Sequence, residues 1–234
     1  MVKYKEIAHA ITQYIEDNDL QQHDKLPVID ALAAKFQASK STIIKALDIL
    51  EAKGQIYQVQ GSGIFVRELN LEGFVNLNRP NGLSQSLHKG NLSNQVIEVS
   101  IIKPTSELVD QLACEADEDI YLVKRVRYIT NKPIAYEISY YRKKYIKYMD
   151  KEIAAGSIFR YLKEHLNIDP GFSNAYFKML PLNAEAAKYL AETPGTYGLK
   201  LINQFFLPNG TIFDYSITWY QKDRSEFFVP STFY

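Results

Sequence analysis

Hydroxyl and ammonium groups are concentrated in the segment ASKSTIIKAL, residues 38–47. Its polar side chains belong to three hydroxyl residues and two lysines, namely Ser39, Lys40, Ser41, Thr42 and Lys45. Hydroxyl groups bond phosphate oxygens or base edges, and the N–H groups at a helix start attract an anion. An ordinary surface helix with Ser39 as its N-cap would use the same residues, and for an isolated segment that explanation is the commoner one.

A second set of polar side chains recurs at every other residue in two β-like segments, 120–129 and 211–220. Period two places Arg125 and Arg127 on one face of the first segment. In the second it separates an apolar face from a polar one, the polar residues being Asp214, Ser216, Thr218 and Tyr220. Paired guanidinium groups bind phosphate or carboxylate, and carboxylates with a tyrosine bind sugar-like hydroxyls. A half-solvated antiparallel sheet gives the same alternation and is the commoner cause of it.

Glu137 lies on the strand predicted to follow Arg127. It joins the face of the two arginines only if the hairpin at 129–134 has an odd loop, for example residues 131–133, because a shift of one residue turns every side chain to the other face. An even loop would separate Glu137 from the arginines. The sequence leaves both arrangements open.

The amino-terminal third has the pattern of a winged helix-turn-helix. Apolar residues at helical spacing predict helices over 4–18, 28–37 and 40–53, with Gly54 as the final stop. The last two helices are joined by a connection of a few residues, which is typical of a helix-turn-helix. The segment QIYQVQGSGIFV then predicts a β-hairpin with a glycine-rich tip.

This arrangement supplies a function for residues 39–45. The third helix of such a unit enters the major groove of DNA, and its first residues meet bases and phosphates. Residues 35–67 hold five basic and two acidic residues, although the net charge of the chain is zero. Glycines at the hairpin tip let the backbone approach a phosphate or the minor groove. We therefore predict that double-stranded DNA is contacted by Ser39, Lys40, Ser41, Thr42, Lys45, Gly61, Ser62 and Gly63.

The remainder of the chain predicts a second domain of the α+β class. Asparagine, glycine and proline punctuate residues 67–95, so we expect a DNA-binding domain at 1–69, a linker at 70–80 and a second domain at 81–234. Its β-like segments are 96–102, 120–129, 134–141, 197–207 and 211–220. Short turns join two adjacent pairs of these strands and predict antiparallel pairing, with helices at 157–166 and 183–192.

Composition excludes several other classes of protein. With 46% apolar and 23% charged residues the chain can bury a core. It shows neither a signal peptide nor an apolar run of about 20 residues, so we expect a cytoplasmic protein. We expect the single cysteine, Cys114, to lie on the buried face of a helix. The four histidines are too scattered along the chain for a metal or catalytic site. No cofactor is expected.

The segments YKEIAHAI, DKLPVIDALAAKF, SKSTIIKALDILEAKG and IYQVQGSGIFV resemble the DNA-binding domain of GntR-family bacterial transcription regulators. The resemblance covers residues 4–66 and implies DNA contacts from Ser39, Lys40, Thr42 and Gly61 or Gly63. Two positions depart from the family pattern, since Asp30 and Ile44 stand where arginine is frequent. Neither side chain anchors a phosphate, which implies an operator different from the family's commonest one.

The segments KRVRYITNKPIAYEISYY and GSIFRYL and the D-Y-S-x-x-x-Y pattern at 214–220 resemble the UTRA domain of the HutC subfamily. This resemblance spans roughly 84–225 and implies a chorismate-lyase-like fold that binds a small effector, often a phosphorylated sugar, without catalysis. The effector-binding residues that it implies are Ser84, Arg125, Arg127, Glu137, Ser157, Asp214 and Tyr220. Phe159 and Asp214 replace a tyrosine and a glutamate of some sugar-phosphate binders.

Together the two resemblances imply a homodimeric repressor that an effector releases from operator DNA. A chorismate-lyase-like enzyme domain fused to a DNA-binding module is the alternative. Such an enzyme would convert its ligand into a product, whereas an effector should be released chemically unchanged. A protein-interaction module is a third interpretation, and it would require an exposed apolar patch instead of a polar site.

Overall fold

The computed structural model describes residues 3–67, 74–76, 92–223 and 226–229, with only the backbone of 74–76. The chain divides into two compact units, one formed by Met1–Arg79 with Phe227–Tyr234 and the other by Pro80–Glu226. Apart from 74–76, the predicted linker at 70–80 lies outside the described residues. No helix in the described ranges is long and apolar enough to cross a membrane.

The first unit contains the predicted winged helix-turn-helix. Its elements are α1 (Lys3–Asp17), α2 (Ile29–Lys35), α3 (Lys40–Ala52), β1 (Ile56–Val59) and β2 (Gly63–Val66). The helical spacing of the apolar residues directs one side of each helix into a common core. Four fully buried residues of this core are Ile11, Leu32, Ile43 and Leu47. The short strands β3 (Phe74–Asn76) and β10 (Glu226–Phe228) form a separate two-stranded sheet.

Local backbone geometry sets the approach of α3 to α2. Gln37 adopts a positive φ of 48°, and the Ala38 amide donates to the Ala33 carbonyl at 3.0 Å, so that α2 ends and the chain turns within a few residues. Ser39 is extended and caps α3, and Gly54 ends the helix at a φ of 67°. Helix α3 is thus bounded by a defined turn at each end.

The second unit has the antiparallel sheet and the helices that the sequence predicted, and the sheet has six strands with helices on both faces. Its elements in chain order are β4 (Leu92–Ile102), α4 (Ser106–Leu112), β5 (Ile120–Ile129), β6 (Lys132–Arg142), α5 (Lys151–Ala155), α6 (Ile158–Leu166), β7 (Phe172–Pro181), α7 (Ala184–Leu190), β8 (Tyr197–Phe206) and β9 (Ile212–Tyr220). The strand order is β4-β5-β6-β9-β8-β7.

Different helices cover the two faces of this sheet. One face packs against α5 and α6 through a cluster that includes Val123, Tyr141 and Leu162. The opposite face packs against α7 through Val126, Tyr136 and the alanines of that helix, and against α4 through Leu112 and Tyr215. The face under α5 and α6 also carries the two arginines of β5, and we call it the arginine face.

The structure corrects several details of the sequence interpretation. Strand β7 and helix α5 were not predicted, and β4 begins at Leu92 instead of residue 96. Cys114 is buried but lies beyond α4, which ends at Leu112 and turns at Ala113 with a positive φ. Phe213 was assigned to the apolar side of β9, yet an irregularity between β8 and β9 brings it into the cluster with Phe205 on the arginine face.

Candidate nucleic-acid interface and effector site

Three hydroxyl groups meet at the start of α3. The Thr42 amide donates to Ser39 Oγ at 3.2 Å, which satisfies one of the unpaired N–H groups of the helix start. The Thr42 and Ser41 hydroxyl oxygens lie 2.8 and 3.0 Å from the same Oγ. Ser39 and Ser41 are exposed, so the cap and the anion-binding geometry coexist in the same residues.

The exposed face of α3 carries more than hydroxyl groups. Ile43 and Leu47 are fully buried, which turns the residues between them outward. The outward side chains are Lys40, Ser41, Ile44, Lys45 and Asp48. Ile44 is 44% exposed although it is a large apolar residue, and it lies one helical turn from Lys40. The face therefore combines two cations and one carboxylate with an exposed aliphatic side chain.

Lys40 has an intramolecular partner in this structure. Its Nζ lies 2.7 Å from Asp30 Oδ1, and the side chains of the two residues are 67% and 68% exposed. Asp30 is on α2, at a position where the resemblance led us to expect arginine. A phosphate at the helix start would compete with this carboxylate for Lys40.

The hairpin tip has the backbone freedom that the sequence predicted. Gly61 adopts a φ of 76° with open space around the position of a Cβ. Gly63 adopts a φ of 131°, and a Cβ there would lie 2.5 Å from Lys25 Cε. Gly61 and Ser62 are exposed, and the Ser62 amide donates to the Val59 carbonyl at 3.0 Å. A side chain at Gly61 would strain the turn, so the tip presents mainly backbone.

In the second unit, Glu137 joins the two arginines of β5. Its Oε1 accepts from Arg125 Nη2 at 2.6 Å and from Arg125 Nε at 3.2 Å. Its Oε2 accepts from Arg127 Nε at 2.9 Å, with Arg127 Nη2 at 2.8 Å. All three residues are buried. Burial by itself raises the pKa of Glu137, but the charges and hydrogen bonds of both arginines outweigh it and hold that pKa at about 2.

An extra residue in β6 brings Glu137 to the arginine face. The loop between β5 and β6 is Thr130 and Asn131, both with positive φ, so the loop is the even one of the two that the sequence left open. The register between the strands shifts at this point: Arg127 faces Ala135, but the next residue, Tyr128, faces Pro133. Ile134 is therefore left without a partner and forms a β-bulge. The bulge supplies the one-residue shift that the loop lacks, and Arg125 faces Glu137 directly.

The sheet also holds the backbone that leads into α6. Arg125 Nη1 donates to the Ala154 carbonyl at 2.9 Å and to the Gly156 carbonyl at 3.2 Å. Asn94 Nδ2 donates to the carbonyl between them, that of Ala155, at 2.9 Å. Three consecutive carbonyls are thus bound by side chains of β4 and β5. The next residue is Ser157, which caps α6 by accepting from the Arg160 amide at 3.4 Å.

Asp214 is a buried carboxyl group without a cation beside it. One of its oxygens accepts from the Ser216 hydroxyl, and its Oδ2 has no hydrogen-bond partner among the described residues. Burial raises the pKa of Asp214 well above its ordinary value, and the charge of Glu137 adds to the rise. Burial therefore favours the protonated form of Asp214, and a protonated carboxyl can donate as well as accept.

Strand register shows which predicted residues come together. The row Arg125, Glu137 and Thr218 lies beside the row Arg127, Ala135 and Tyr220. Burial raises the pKa of Tyr220, and the charge of Arg127 opposes that rise. Asp214 faces Tyr141, two rows from Glu137 on the arginine face, or about 13 Å along the strand.

The polar face predicted from period two is buried in the structure. This contradicts the interpretation of the alternation as a half-solvated antiparallel sheet. The buried polar residues on the face are Arg125, Arg127, Glu137, Ser139, Asp214, Ser216 and Thr218. Ser84 lies outside the described residues. Sequence reasoning missed Asn94, which faces Arg127 and whose Oδ1 has no partner among the described residues. An asparagine at an inward position of β4 was the available signal, but the strand had been predicted to begin after it.

Comparisons with known families match both units. The family described as "Bacterial regulatory proteins, gntR family" matches residues 3–66, and the family described as "UTRA domain" matches residues 88–226. The two matches follow each other along the chain in the order that the motifs indicated.

Individual relatives share the whole architecture. The chain is 45% identical to the uncharacterized HTH-type transcriptional regulator YydK of Bacillus subtilis strain 168, over 99% of this chain and 98% of the relative. The crystal structure of YydK superposes with a TM-score of 0.81 over 99% of this chain and all of that one. The HTH-type transcriptional repressor NagR of the same organism is 25% identical over 96% of this chain and 92% of the relative. The mannosyl-D-glycerate transport/metabolism system repressor MngR of Escherichia coli K12 is also 25% identical, over 96% and 93%.

Proposed function

The chain belongs to the gntR family of bacterial regulatory proteins and carries a UTRA domain, and from this premise we propose that it is a repressor released from its operator by a phosphorylated sugar. It is a DNA-binding transcription regulator, and the known proteins that it resembles are regulators and not enzymes. In the proposal, residues 1–69 bind DNA, 70–80 form a linker, and 81–234 bind the effector and a second copy of the chain.

The DNA contacts of this proposal come from α3 and the hairpin tip. The hydroxyls of Ser39, Ser41 and Thr42 surround the N-terminus of α3, where a phosphate gains hydrogen bonds and a favourable helix dipole. Lys40 and Lys45 add cations on the same exposed face, and the backbone of residues 61–63 reaches the duplex without large side chains. A dimer would place two such faces on two half-sites.

Ile44 supplies base discrimination in this proposal. It is 44% exposed in the middle of the face that would enter the major groove. The only apolar group that a base presents in that groove is the methyl group of thymine. An aliphatic side chain there favours thymine and cannot make the two hydrogen bonds by which arginine reads guanine.

One observation supports an anionic effector above the others, namely that two buried guanidinium groups share one carboxylate. Arg125 and Arg127 both form buried ion pairs with Glu137. Each guanidinium carries five N–H donors, so arginines that share a carboxylate can also bind an anionic ligand.

The neutral polar groups of the arginine face favour a ligand rich in hydroxyls. Asp214, Ser216 and Tyr220 offer carboxyl and hydroxyl groups in a buried setting, and such groups bind the hydroxyls of a sugar. The name of MngR agrees with this ligand class, since MngR is called the repressor of a system for mannosyl-D-glycerate, a sugar linked to a carboxylate. NagR is also called a repressor, which agrees with the proposed direction of control.

Ser157 and the backbone behind it give the effector a means to act at a distance. The carbonyls of Ala154 and Gly156 are held by Arg125, so a ligand that competes for this guanidinium also shifts the start of α6. A difference in effector affinity between the DNA-competent and released states of about 1 to 3 kcal/mol would give the regulation usual for such proteins.

A thermal-shift panel of free and phosphorylated sugars tests the effector class. An effector at about 100 times its Kd should stabilise the protein by about 2.7 kcal/mol, and the same compound should release the protein from its own promoter DNA. Arg127→Lys should abolish the ligand-induced shift. Arg142→Lys is the matched control, since Arg142 is a buried arginine that binds Glu118 elsewhere in the same unit, and it should leave the shift intact. No shift with any anionic compound, or chemical consumption of a hit, would refute the proposal.

A further inference from the structure

The segment that leads into α2 pairs with the hairpin of the first unit. The Leu26 amide donates to the Ile64 carbonyl of β2 at 2.8 Å, and Lys25 forms an isolated antiparallel bridge with Phe65. Because the pairing is antiparallel, the segment runs toward the hairpin tip, and α2 begins three residues after Leu26. We call the hairpin together with residues 23–26 the wing.

The outer face of the wing is aromatic. Tyr57 and Phe65 face each other across the hairpin, and their rings stack with centroids 5.4 Å apart. His23 Nδ1 lies 3.0 Å from the Tyr57 hydroxyl, and these two rings meet edge to face. The residues that alternate with the stacked pair, Ile56 and Ile64, are buried in the core of the unit. The stacked rings therefore form an apolar surface on the side of the hairpin away from the core.

The Lys25 side chain lies along this surface and reaches the hairpin tip. Its Nζ lies 5.9 Å from the centroid of the Phe65 ring. A Cβ at Gly63 would lie 2.5 Å from Lys25 Cε and 3.2 Å from Lys25 Nζ. The lysine thus occupies the space that a side chain at residue 63 would need. Since Gly63 is two residues nearer the tip than Phe65, the ammonium group is held beside the tip.

The hairpin tip has no charge of its own. Residues 58–64, QVQGSGI, contain neither acidic nor basic side chains. Lys25 is exposed and forms no ion pair with a carboxylate of the described residues. The adjacent acid, Asp24, accepts from the Gln21 amide at 2.7 Å. Lys25 therefore brings the tip a cation that no acidic side chain in the described ranges neutralises.

We infer that Lys25 binds a phosphate group of the operator where the wing tip meets the duplex, a contact that the family resemblance did not include. The inference rests on the proposed function, in which residues 61–63 approach DNA. Phosphate is the part of a duplex that attracts an ammonium group at any sequence. A lysine stem commonly lies on apolar surface while its charge stays in water. Here the stem lies on Phe65 and Gly63, so the ammonium group is in place before DNA arrives and less entropy is lost on contact.

The contact assigns separate roles to Lys25 and Gly63. Lys25 supplies charge and carries no base preference, since phosphates are alike at every base pair, so it fixes the position of the wing on the duplex. Gly63 acts as a positioning residue, because the absence of a Cβ leaves room for the lysine. The same glycine had been predicted only to let the backbone approach DNA.

Binding of the full chain to an operator duplex selected from random DNA tests the inference. Lys25→Met retains an apolar stem and removes the ammonium group. It should weaken binding about 5- to 10-fold at about 0.1 M salt and reduce the slope of log affinity against log salt by about 0.9. Lys25→Arg should retain the wild-type slope. The matched control is Lys35→Met, since Lys35 is also an exposed lysine over an aromatic ring, 4.5 Å from the centroid of Tyr14, and its loss should leave the slope intact. An unchanged slope for Lys25→Met would overturn the inference.

Neutral methylphosphonate groups, placed at one operator phosphate at a time, locate the contact. At one phosphate of a half-site the substitution should weaken binding of the wild-type protein about 5- to 10-fold. The same duplex should bind Lys25→Met no more weakly than the unmodified duplex does, because that variant has already lost the charge pair. If every phosphate affects the two proteins alike, Lys25 makes no direct contact and the inference fails.

Gly63→Ala tests the positioning role. In the wild-type background it should reduce the salt slope as Lys25→Met does, and in a Lys25→Ala background it should reduce the slope no further. A slope unaffected in the first background, or reduced again in the second, would exclude this role. Far-ultraviolet circular dichroism verifies that each variant is folded. The proposed function is judged separately: a wild-type protein that binds no DNA refutes it, whereas a wild-type protein whose DNA binding is independent of Lys25 refutes the inference alone.

Discussion

The Asp30 carboxylate lies 2.7 Å from the Lys40 ammonium, and both side chains are about two-thirds exposed. An acidic residue of α2 thereby pairs with Lys40, which the proposed function assigns to DNA binding. Exposed ion pairs contribute little to stability, so we expect the pair to act through competition with DNA in the proposed function and not through folding.

Asp30→Asn should strengthen binding to duplex DNA of any sequence several-fold at low salt, because Lys40 becomes available and a repelling carboxylate is lost. Lys40→Ala should weaken binding and reduce the salt dependence by about one released counterion. Fluorescence anisotropy at several salt concentrations measures both effects. Asp17→Asn, which alters an exposed acid of α1, is the control and should change affinity little. Equal affinities for wild type and Asp30→Asn would remove this pair from the interface.

Ile44 should read a thymine methyl group. Operator sequences selected by the wild-type protein from random DNA should contain a thymine whose replacement by deoxyuridine weakens binding about fourfold, the worth of one buried methyl group. Ile44→Ala should bind both duplexes alike. Val28→Ala, at an exposed valine before α2, should retain the difference. Indifference of the wild-type protein to every deoxyuridine substitution would exclude this role for Ile44.

Glu137→Gln should destabilise the protein by about 3–5 kcal/mol, because it leaves two buried guanidinium groups without their counterion. Glu185→Gln removes a carboxylate that pairs with Lys124 at 2.9 Å but is 43% exposed, and it should cost less than about 1 kcal/mol. Urea unfolding at pH 7 provides the comparison. Similar losses for the two variants would mean that Glu137 does not compensate the arginines.

Acid should weaken the contribution of Glu137. Its pKa is about 2 in the folded protein, below the 4.5 of an ordinary glutamate in the unfolded chain. The stabilisation is therefore complete above pH 4.5 and is lost as the pH falls through 2. Stability curves of wild type and Glu137→Gln should therefore converge in acid. Curves that stay parallel down to pH 2 would contradict the low pKa.

Asp214 should produce the opposite dependence. Because burial raises its pKa in the folded state, folding retains a proton that the unfolded chain releases above about pH 4. The free energy of unfolding should then fall as the pH rises, by at most about 1.4 kcal/mol per pH unit, until the folded pKa is passed. Asp214→Asn carries no such proton, so its advantage over wild type should grow between pH 4 and pH 7. A constant difference across that range would show that Asp214 ionises normally.

The first unit could be predicted from sequence because its signals are local. Apolar spacing, the Ser39 cap and Gly54 each act within a few residues, and the structure contains the three helices and the hairpin that they indicate. The placement of Asp30 against Lys40 was not predicted, since it depends on how two helices approach each other.

The second unit shows where sequence periodicity stops being sufficient. Period two identified Arg125 and Arg127, but the position of Glu137 depended on a bulge at Ile134 that no turn residue marks. Strand β7 was missed because its apolar residues do not alternate with polar ones. Both sides of the strand are exposed, so neither side is distinguished from the other by burial. The hydrogen bonds of Asn94 and Arg125 to the chain before α6 join residues about 30 to 60 positions apart, beyond the reach of any local pattern.

Those same hydrogen bonds give the segment before α6 an unusual tolerance to sequence change. Arg125 and Asn94 bind the main-chain carbonyls of residues 154–156, which every amino acid possesses. Ala155 and Gly156 are exposed, and a Cβ at Gly156 would make only ordinary contacts. Mutational drift at these two positions would leave the course of the chain, and with it the setting of Ser157, as it is.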